Sequence, residues 1–160
     1  MKKIIRSISF VLIILIIGLL GYLKMNPPLT QGSIGTTSDK LSVIVALGNK
    51  NLLGNIHITD VSINANEAPT KVRMQVSNST KGFIITDTYQ PYEEEYGMKD
   101  YETITLEPKS APIPFSKQAK AGSEHPDRIY GLSITEDTPI ERINVTYRYL
   151  GISFVKTINV

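Results

Sequence analysis

The chain has 160 residues, with 17 basic and 15 acidic side chains, a formal net charge of +2 and no cysteine. The lack of cysteine excludes disulfide bonds, thiol catalysis, thiolate metal sites and a lipid anchor on cysteine. The near-neutral charge gives no support to nucleic-acid binding, because that function requires a strongly basic surface.

The N-terminal part of the chain is dominated by residues 7–23, a run of 17 residues without a charge. As a helix this run would be about 25 Å long, close to the thickness of the hydrocarbon layer of a membrane. The basic residues on its two sides are Lys2, Lys3, Arg6 and Lys24. Because more of them precede the run than follow it, residues 1–24 are predicted to be a membrane anchor with a cytoplasmic N-terminus and an extracellular C-terminal domain.

A cleaved signal peptide is the alternative interpretation of the same run, and would make the protein secreted. The run is longer than the 7–15 apolar residues typical of a signal peptide, and no small-x-small cleavage site follows it at close range. We therefore favour a retained single-pass anchor. All 15 acidic residues lie after Lys24, so the basic excess belongs to the anchor and the remainder of the chain is slightly acidic.

Residues 25–40 contain two consecutive prolines followed by Gly, Ser and Thr, a composition that predicts a flexible linker. From residue 41 onward the apolar residues recur with a period of two, which is typical of half-buried strands. The apolar phase changes between Ile58 and Val61, so we expect a bulge near Thr59 and Asp60. The predicted strands are residues 41–47, 56–63, 72–76, 83–86, 103–106, 130–134, 142–149 and 153–160.

Seven to nine short strands separated by turns, with no amphipathic helix among them, predict an all-β fold. The predicted domain spans residues 41–160 and is an antiparallel β-sandwich. A single anchor followed by about 120 residues of short strands resembles membrane-anchored bacterial extracellular domains of the immunoglobulin-like and fibronectin-III-like type. The resemblance lacks the Cys and Trp markers of immunoglobulin domains, and it implies a fold and no activity.

The chain has few candidates for catalysis or cofactor binding. Its two histidines are His57, which alternates with apolar residues and should lie on a polar face, and His125, which follows Ser123 and Glu124. No nucleophile elbow, zinc motif or phosphate-binding loop is present in the sequence. We expect no enzymatic activity, no metal and no small-molecule cofactor.

The densest polar segment is residues 87–102, which are rich in tyrosine and acidic residues. The candidate binding residues in it are Tyr89, Tyr92, Glu93, Glu94, Glu95, Tyr96 and Tyr101. Tyrosine is enriched at protein interfaces, so the segment suggests a recognition surface. Two alternatives remain open: a solvated acidic loop whose tyrosines pack on the sandwich, and a calcium site that also uses Asp100 and Glu102.

The sequence as a whole favours a non-enzymatic, membrane-anchored module that contacts a partner protein or an envelope polymer outside the membrane. Its expected contact surface is formed by residues 89–101 together with the long loop 110–127. One alternative is an envelope hydrolase that uses His125 and nearby acids. Another is a structural subunit of a membrane complex in which the anchor itself makes the contacts.

Overall fold

The computed structural model describes residues 2–78, 80–110, 112 and 128–160, with side chains from residue 9 onward. The chain begins with helix α1, Lys2–Met25, and two single-turn 3-10 helices, Gln90–Tyr92 and Tyr101–Thr103, lie between strands. The strands are β1 Leu29–Thr36, β2 Ser42–Asn49, β3 Ile56–Ile63, β4 Lys71–Asn78, β5 Met98–Lys99, β6 Thr105–Leu106, β7 Arg128–Thr135, β8 Arg142–Tyr149 and β9 Ile152–Asn159.

The nine strands form two sheets that pack face to face, and the prediction of an antiparallel β-sandwich is confirmed. Sheet A has the order β1-β2-β7-β4-β5, and sheet B has the order β6-β3-β8-β9. Every strand pair in both sheets is antiparallel. The core between the sheets contains alternate residues of the long strands, such as Val45, Ile58, Leu132 and Val145, all fully buried.

The predicted bulge in β3 is confirmed. The register between β3 and β8 shifts between Ile58 and Asp60, where one residue of β3 has no counterpart. The extra residue reverses the side-chain alternation, so Val61 and Ile63 return to the core face that Ile56 and Ile58 occupy. His57 is exposed on the opposite face, as its alternation predicts.

Residues 25–40 are not a flexible linker along their whole length, because β1 lies within them. Leu29 is 2% exposed and belongs to the core. Composition gave no sign of this strand, since Gly, Ser and Thr are common in loops. Its stability comes from pairing with β2, and the register slips once, between Gln31 and Ile34. The sandwich therefore starts at Leu29, only a few residues after α1 ends.

Helix α1 is exposed along most of its described length. Phe10, Leu15 and Ile17 are each about two thirds exposed, whereas Leu23, near the C-terminal end, is 4% exposed and joins the sandwich core. Within the part of the chain that the structure describes, no helix has both the length and the apolarity that crossing a membrane requires. The predicted membrane anchor thus remains a prediction.

The outer face of sheet A is covered in part by residues 83–89, which we call the covering segment. Ser110 and Pro112 lie over the β1–β2 side of this face, where a Cβ atom on Gly32 would meet the Pro112 ring at 2.6 Å. Residues 83–86 were predicted as a strand, but they cross over this face without joining either sheet. Gly131 makes room for the segment, because a Cβ atom there would lie 2.8 Å from the Phe83 ring. Sheet A is thus covered on both faces, and all eight residues of β2 are buried.

Gln75 shows how the covering segment changes the predicted pattern. The alternation in β4 predicts a solvent-facing side chain, but Gln75 is fully buried. Its amide nitrogen donates to the Ile84 carbonyl at 2.7 Å and lies 2.6 Å from the Ser133 hydroxyl oxygen. Its amide oxygen accepts from the Ile84 backbone N–H at 3.1 Å. The side chain thus replaces the strand pairing that the covering segment lacks.

Replacing Gln75 with Ala should lower the free energy of unfolding by about 2–4 kcal/mol, because it leaves the half-buried Ile84 backbone groups and the buried Ser133 without these partners and opens a cavity. Urea denaturation of the two proteins measures the difference. The matched control is Gln90→Ala at an exposed position, which should change the free energy by less than about 0.5 kcal/mol. Equal effects of the two substitutions would contradict the role assigned to Gln75.

Candidate functional site

The tyrosine-rich acidic segment lies beside the outer edge of β4 and encloses a cleft with it. β5 has only two residues and pairs with Met74 and Gln75 alone. The first part of β4, residues 71–73, therefore has no strand neighbour on that side among the described residues. The space beside it, which we call the β4 cleft, has a volume of about 630 Å³.

The cleft includes three of the seven residues predicted for binding. Tyr89, Glu93 and Tyr101 line it, together with residues 69–73 and the acidic residues Asp100 and Glu102. The segment reaches the cleft because its two 3-10 helices fold it back along β4, with Met98 buried between them. Three of the seven predicted residues thus lie together at the cleft, and their role in binding stays a prediction.

The other four predicted residues do not line the cleft. Tyr92 and Tyr96 pack edge to face, with ring centroids 6.2 Å apart. The Lys81 ammonium lies 4.6 Å from the centroid of the Tyr96 ring and also forms an ion pair with Glu95 at 3.6 Å. Glu94 is exposed beside them. These residues form a separate cluster outside the cleft, in which the two tyrosines contact each other and Lys81.

Tyr89 lines one side of the cleft but is buried, so little of its surface is available for contact with a ligand. Its side chain is 8% exposed, and its hydroxyl lies 3.1 Å from the Thr135 hydroxyl on β7. Burial raises the pKa of the Tyr89 phenol, while the hydrogen bond to Thr135 and the charge of Arg73 oppose part of that rise. The residue ties the end of the covering segment to sheet A.

Tyr101 provides the opposite aromatic wall and is only partly buried. Burial raises the pKa of its phenol, and the carboxylates of Glu102, Asp60 and Asp100 raise it further. The hydroxyl donates to the Glu102 carboxylate at 3.3 Å. Tyr101 therefore stays neutral at physiological pH and presents an apolar ring with a polar end to the cleft.

The charges around the cleft are of both signs. Lys71 and Arg73 lie on the β4 side, and Glu93, Asp100 and Glu102 lie on the opposite side. Lys71 donates to the Asp87 carbonyl at 3.3 Å, and neither cation is in an ion pair with a described carboxylate. A ligand with separate positive and negative groups fits this arrangement better than a uniformly charged polymer.

The backbone of β4 also faces the cleft. The Val76 N–H donates to the Gly97 carbonyl on the β5 side. Because backbone groups alternate along a strand, the N–H and C=O groups of Val72 point to the same side, beyond the end of β5. The Val72 carbonyl accepts a hydrogen bond from the Arg73 guanidinium at 3.1 Å. This edge can pair with an added extended chain.

The candidate groups for metal binding and for hydrolysis lie partly inside and partly outside the described residues. Within the described residues, no three His, Asp or Glu side chains converge as a metal site, so the calcium alternative has no ligand cluster there. His57 lies in a second groove with Arg148 and Glu102. Ser123, Glu124 and His125, and most of the predicted contact loop 110–127, lie outside the described residues.

The cleft residues on β4 that the sequence did not single out are Lys71, Val72 and Arg73. Their alternation correctly predicted a strand, but it carries no sign that the edge of that strand is open. The shortness of β5 decides this, and a two-residue strand has no recognisable periodicity. The one usable signal was their position just before the tyrosine-rich segment in the chain.

Raising the pH should destabilise the fold partly through Tyr89. The buried phenol stays neutral in the folded chain, while the unfolded chain loses this proton near the ordinary tyrosine pKa of about 10. The free energy of unfolding should therefore fall as the pH rises above about 10. In Tyr89→Phe, urea denaturation at pH 8 and pH 11 should show a smaller fall than in the wild type.

The control for that measurement is Thr135→Val, which removes the hydrogen bond to Tyr89 and keeps the phenol. Both variants should lose about 1 kcal/mol or more at pH 8. Only Tyr89→Phe should have the weaker pH dependence. An unchanged pH dependence in Tyr89→Phe would mean that the phenol ionises in the folded chain.

Comparison with known proteins adds no further identification. No protein-family model matches the chain, and no curated protein and no solved structure is significantly similar to it. The proposed function therefore depends on the chemistry of the β4 cleft and on the exposed surface of α1.

Proposed function

We propose that the chain is a non-enzymatic binding module that is anchored to the cell membrane by α1 and holds an extended segment of a partner protein in the β4 cleft. The observation that carries the proposal is the open edge of β4 at residues 71–73, which lies inside a cleft between two tyrosines. The module would present this cleft on the outer side of the membrane.

The geometry of the cleft suits the addition of a strand. An extended peptide that pairs with a sheet edge gains main-chain hydrogen bonds, and pockets for alternate side chains provide selectivity. Here the Val72 N–H offers a donor for pairing, while the Val72 carbonyl also accepts from Arg73. The partly exposed Tyr101 ring offers apolar contact. The acidic and basic side chains on the two sides of the cleft would select the charge pattern of the peptide.

The membrane anchor is supported by the surface of α1. Phe10, Ile13, Ile14 and Ile17 are each at least half exposed although all are strongly apolar. Helices of soluble domains normally bury such residues along one face, and a helix that is apolar all round is typical of a lipid environment. The excess of basic residues before the apolar run supports a cytoplasmic N-terminus and an extracellular sandwich.

The strand order supports the resemblance to immunoglobulin-like and fibronectin-III-like domains. Without the two-residue strands β5 and β6, sheet A reads β1-β2-β7-β4 and sheet B reads β3-β8-β9. These are the strand orders of a seven-stranded immunoglobulin-type sandwich. In that description, residues 79–127 are an insertion between the fourth and fifth strands, and the insertion supplies most of the cleft.

The Lys71 end of the cleft and the anchor lie at opposite ends of the sandwich. β1 starts just after α1, and Leu29 pairs with Asn49, so this end is close to the anchor. Asn78 is at the same end through its pairing with Arg128. Lys71 lies seven residues from Asn78, which corresponds to about 23 Å along the strand. A cleft at that distance is accessible to a partner protein.

Photocrosslinking in intact cells tests the cleft. A benzophenone amino acid at Gln90, an exposed cleft residue, should give an adduct with one protein of defined mass. The matched control is the same amino acid at Glu94, exposed and outside the cleft, where no such adduct should form. An adduct at neither position, equal capture at both, or a polydisperse product typical of a polymer would contradict the proposal.

Substitutions at Val72 separate backbone pairing from side-chain contact. Val72→Pro removes the N–H that faces the cleft and leaves the β7 side of the strand intact, because proline is tolerated on an open edge. We expect capture at position 90 to fall at least about tenfold, equivalent to 1.4 kcal/mol. Val72→Ala keeps the N–H and should retain capture, and thermal unfolding of both variants verifies the fold.

Lysine substitutions within the apolar part of α1 test the membrane anchor. Ile13→Lys combined with Ile17→Lys should release the chain into the soluble fraction after alkaline carbonate extraction, because each central lysine costs about 2.5–3.5 kcal/mol for membrane insertion. The apolar control Ile13→Val with Ile17→Leu should stay in the membrane. Protease added to intact cells should digest the wild-type sandwich. A protected sandwich, or a mature chain that starts after residue 24, would contradict the anchor.

A further inference from the structure

Three leucines are exposed together at the anchor end of the sandwich. Leu52 and Leu53, in the loop between β2 and β3, are 69% and 77% exposed, and Leu150, in the turn between β8 and β9, is 57% exposed. The two loops touch, since a Cβ atom on Gly54 would lie 3.0 Å from a terminal methyl group of Leu150. We call these three leucines the leucine tip.

Hydrogen bonds beneath the leucine tip fix the backbone of the loop that carries Leu52 and Leu53. The Tyr149 hydroxyl donates to the Leu53 carbonyl at 2.6 Å and accepts from the Asn51 amide at 3.0 Å. The amide of Asn49, a fully buried residue, donates to the Gly54 carbonyl at 2.8 Å. These bonds fix the loop backbone, so the leucines project into their surroundings from a defined platform.

The tip lies next to the point where α1 meets the sandwich. The Lys50 N–H donates to the Pro28 carbonyl at 3.1 Å, which joins the loop of the tip to the connection between α1 and β1. The turn with Leu150 lies at the same end, because Tyr149 pairs with Ile56 at the start of β3. If α1 spans a membrane, the tip faces the membrane surface.

Three lysines accompany the leucines. Lys24 lies in the last turn of α1, Lys50 lies two residues before Leu52, and the Lys109 N–H donates to the Asn51 carbonyl at 3.0 Å. All three side chains are exposed, and none is in an ion pair within the described part of the chain. Apolar side chains surrounded by unpaired cations are complementary to a lipid surface with anionic headgroups.

We propose that the leucine tip is a second membrane contact, which inserts Leu52, Leu53 and Leu150 into the outer membrane surface while Lys50 and Lys109 contact lipid phosphates. The proposal rests on the membrane anchor of the preceding section. With α1 and the tip both in the lipid, the sandwich has a fixed orientation that keeps the β4 cleft away from the membrane.

Site-specific labels on the full chain in vesicles test this contact. The chain has no cysteine, so a polarity-sensitive fluorophore is placed on single variants Leu53→Cys, Leu150→Cys, Leu15→Cys in α1, and Asp137→Cys at the far end. The vesicles contain phosphatidylcholine and phosphatidylglycerol. We expect blue-shifted emission, loss of iodide quenching and quenching by nitroxide-labelled lipid at positions 53, 150 and 15, and none of these at 137.

The outcomes separate the tip from the anchor. A label at position 15 in lipid with labels 53 and 150 in water would overturn the tip and leave the anchor. A label at position 15 in water would overturn both. Shielding of 53 and 150 from iodide without quenching by nitroxide-labelled lipid would indicate a protein contact and overturn the tip.

The lysines are tested by reversing their charge. Lys50→Glu with Lys109→Glu should reduce nitroxide quenching at position 53 in vesicles that contain phosphatidylglycerol, and should change it less in pure phosphatidylcholine. The same double change should not alter quenching at position 15. Equal quenching at position 53 with and without the lysines would overturn their assigned role.

Discussion

The structure depends on one constraint, the burial of the outer face of sheet A under residues 83–89 and, beside β1 and β2, under Ser110 and Pro112. A sheet in a simple sandwich has one face in water, but here β2 is buried at all eight positions. An unpaired buried polar group on the covered face costs about 1–3 kcal/mol, and the Ser77 hydroxyl is such a group, since it has no hydrogen-bond partner among the described residues. Gln75 and Thr135, by contrast, bond to the backbone or side chains of the covering segment.

The same constraint positions the β4 cleft. Tyr89 ends the covering segment, and its hydrogen bond to Thr135 fixes where the chain leaves the face of sheet A. The residues after Tyr89 then follow the edge of β4. There β5 pairs with only two residues of β4 and ends. The open edge and its aromatic walls thus result from how the insertion is attached. Loss of the hydrogen bond between Tyr89 and Thr135 would displace the residues of the cleft more than those of sheet B.

The sandwich also has two chemically different ends. The anchor end combines α1, the exposed leucines and unpaired lysines, and the far end carries the first residues of β4 and the cleft. This difference between the ends follows from antiparallel pairing, because successive connections between the long strands lie alternately at the two ends of the sandwich. In the proposed function, one end contacts lipid and the other meets a partner protein.

Periodicity alone determined the class of fold, most of the long strands and the bulge at Thr59–Asp60, because alternation directly reports which side chains face the core. It could not predict β1, whose Gly- and Thr-rich residues depend on pairing with β2, nor the burial of Gln75 under a segment distant in sequence. Composition identified the tyrosine-rich acidic segment and the apolar N-terminal run. Only the tertiary structure decided that Lys71, Val72 and Arg73 face that segment across an open edge, because an edge exists only once the neighbouring strand has ended. For the same reason, only the folded chain brings Leu52, Leu53 and Leu150 together beside α1.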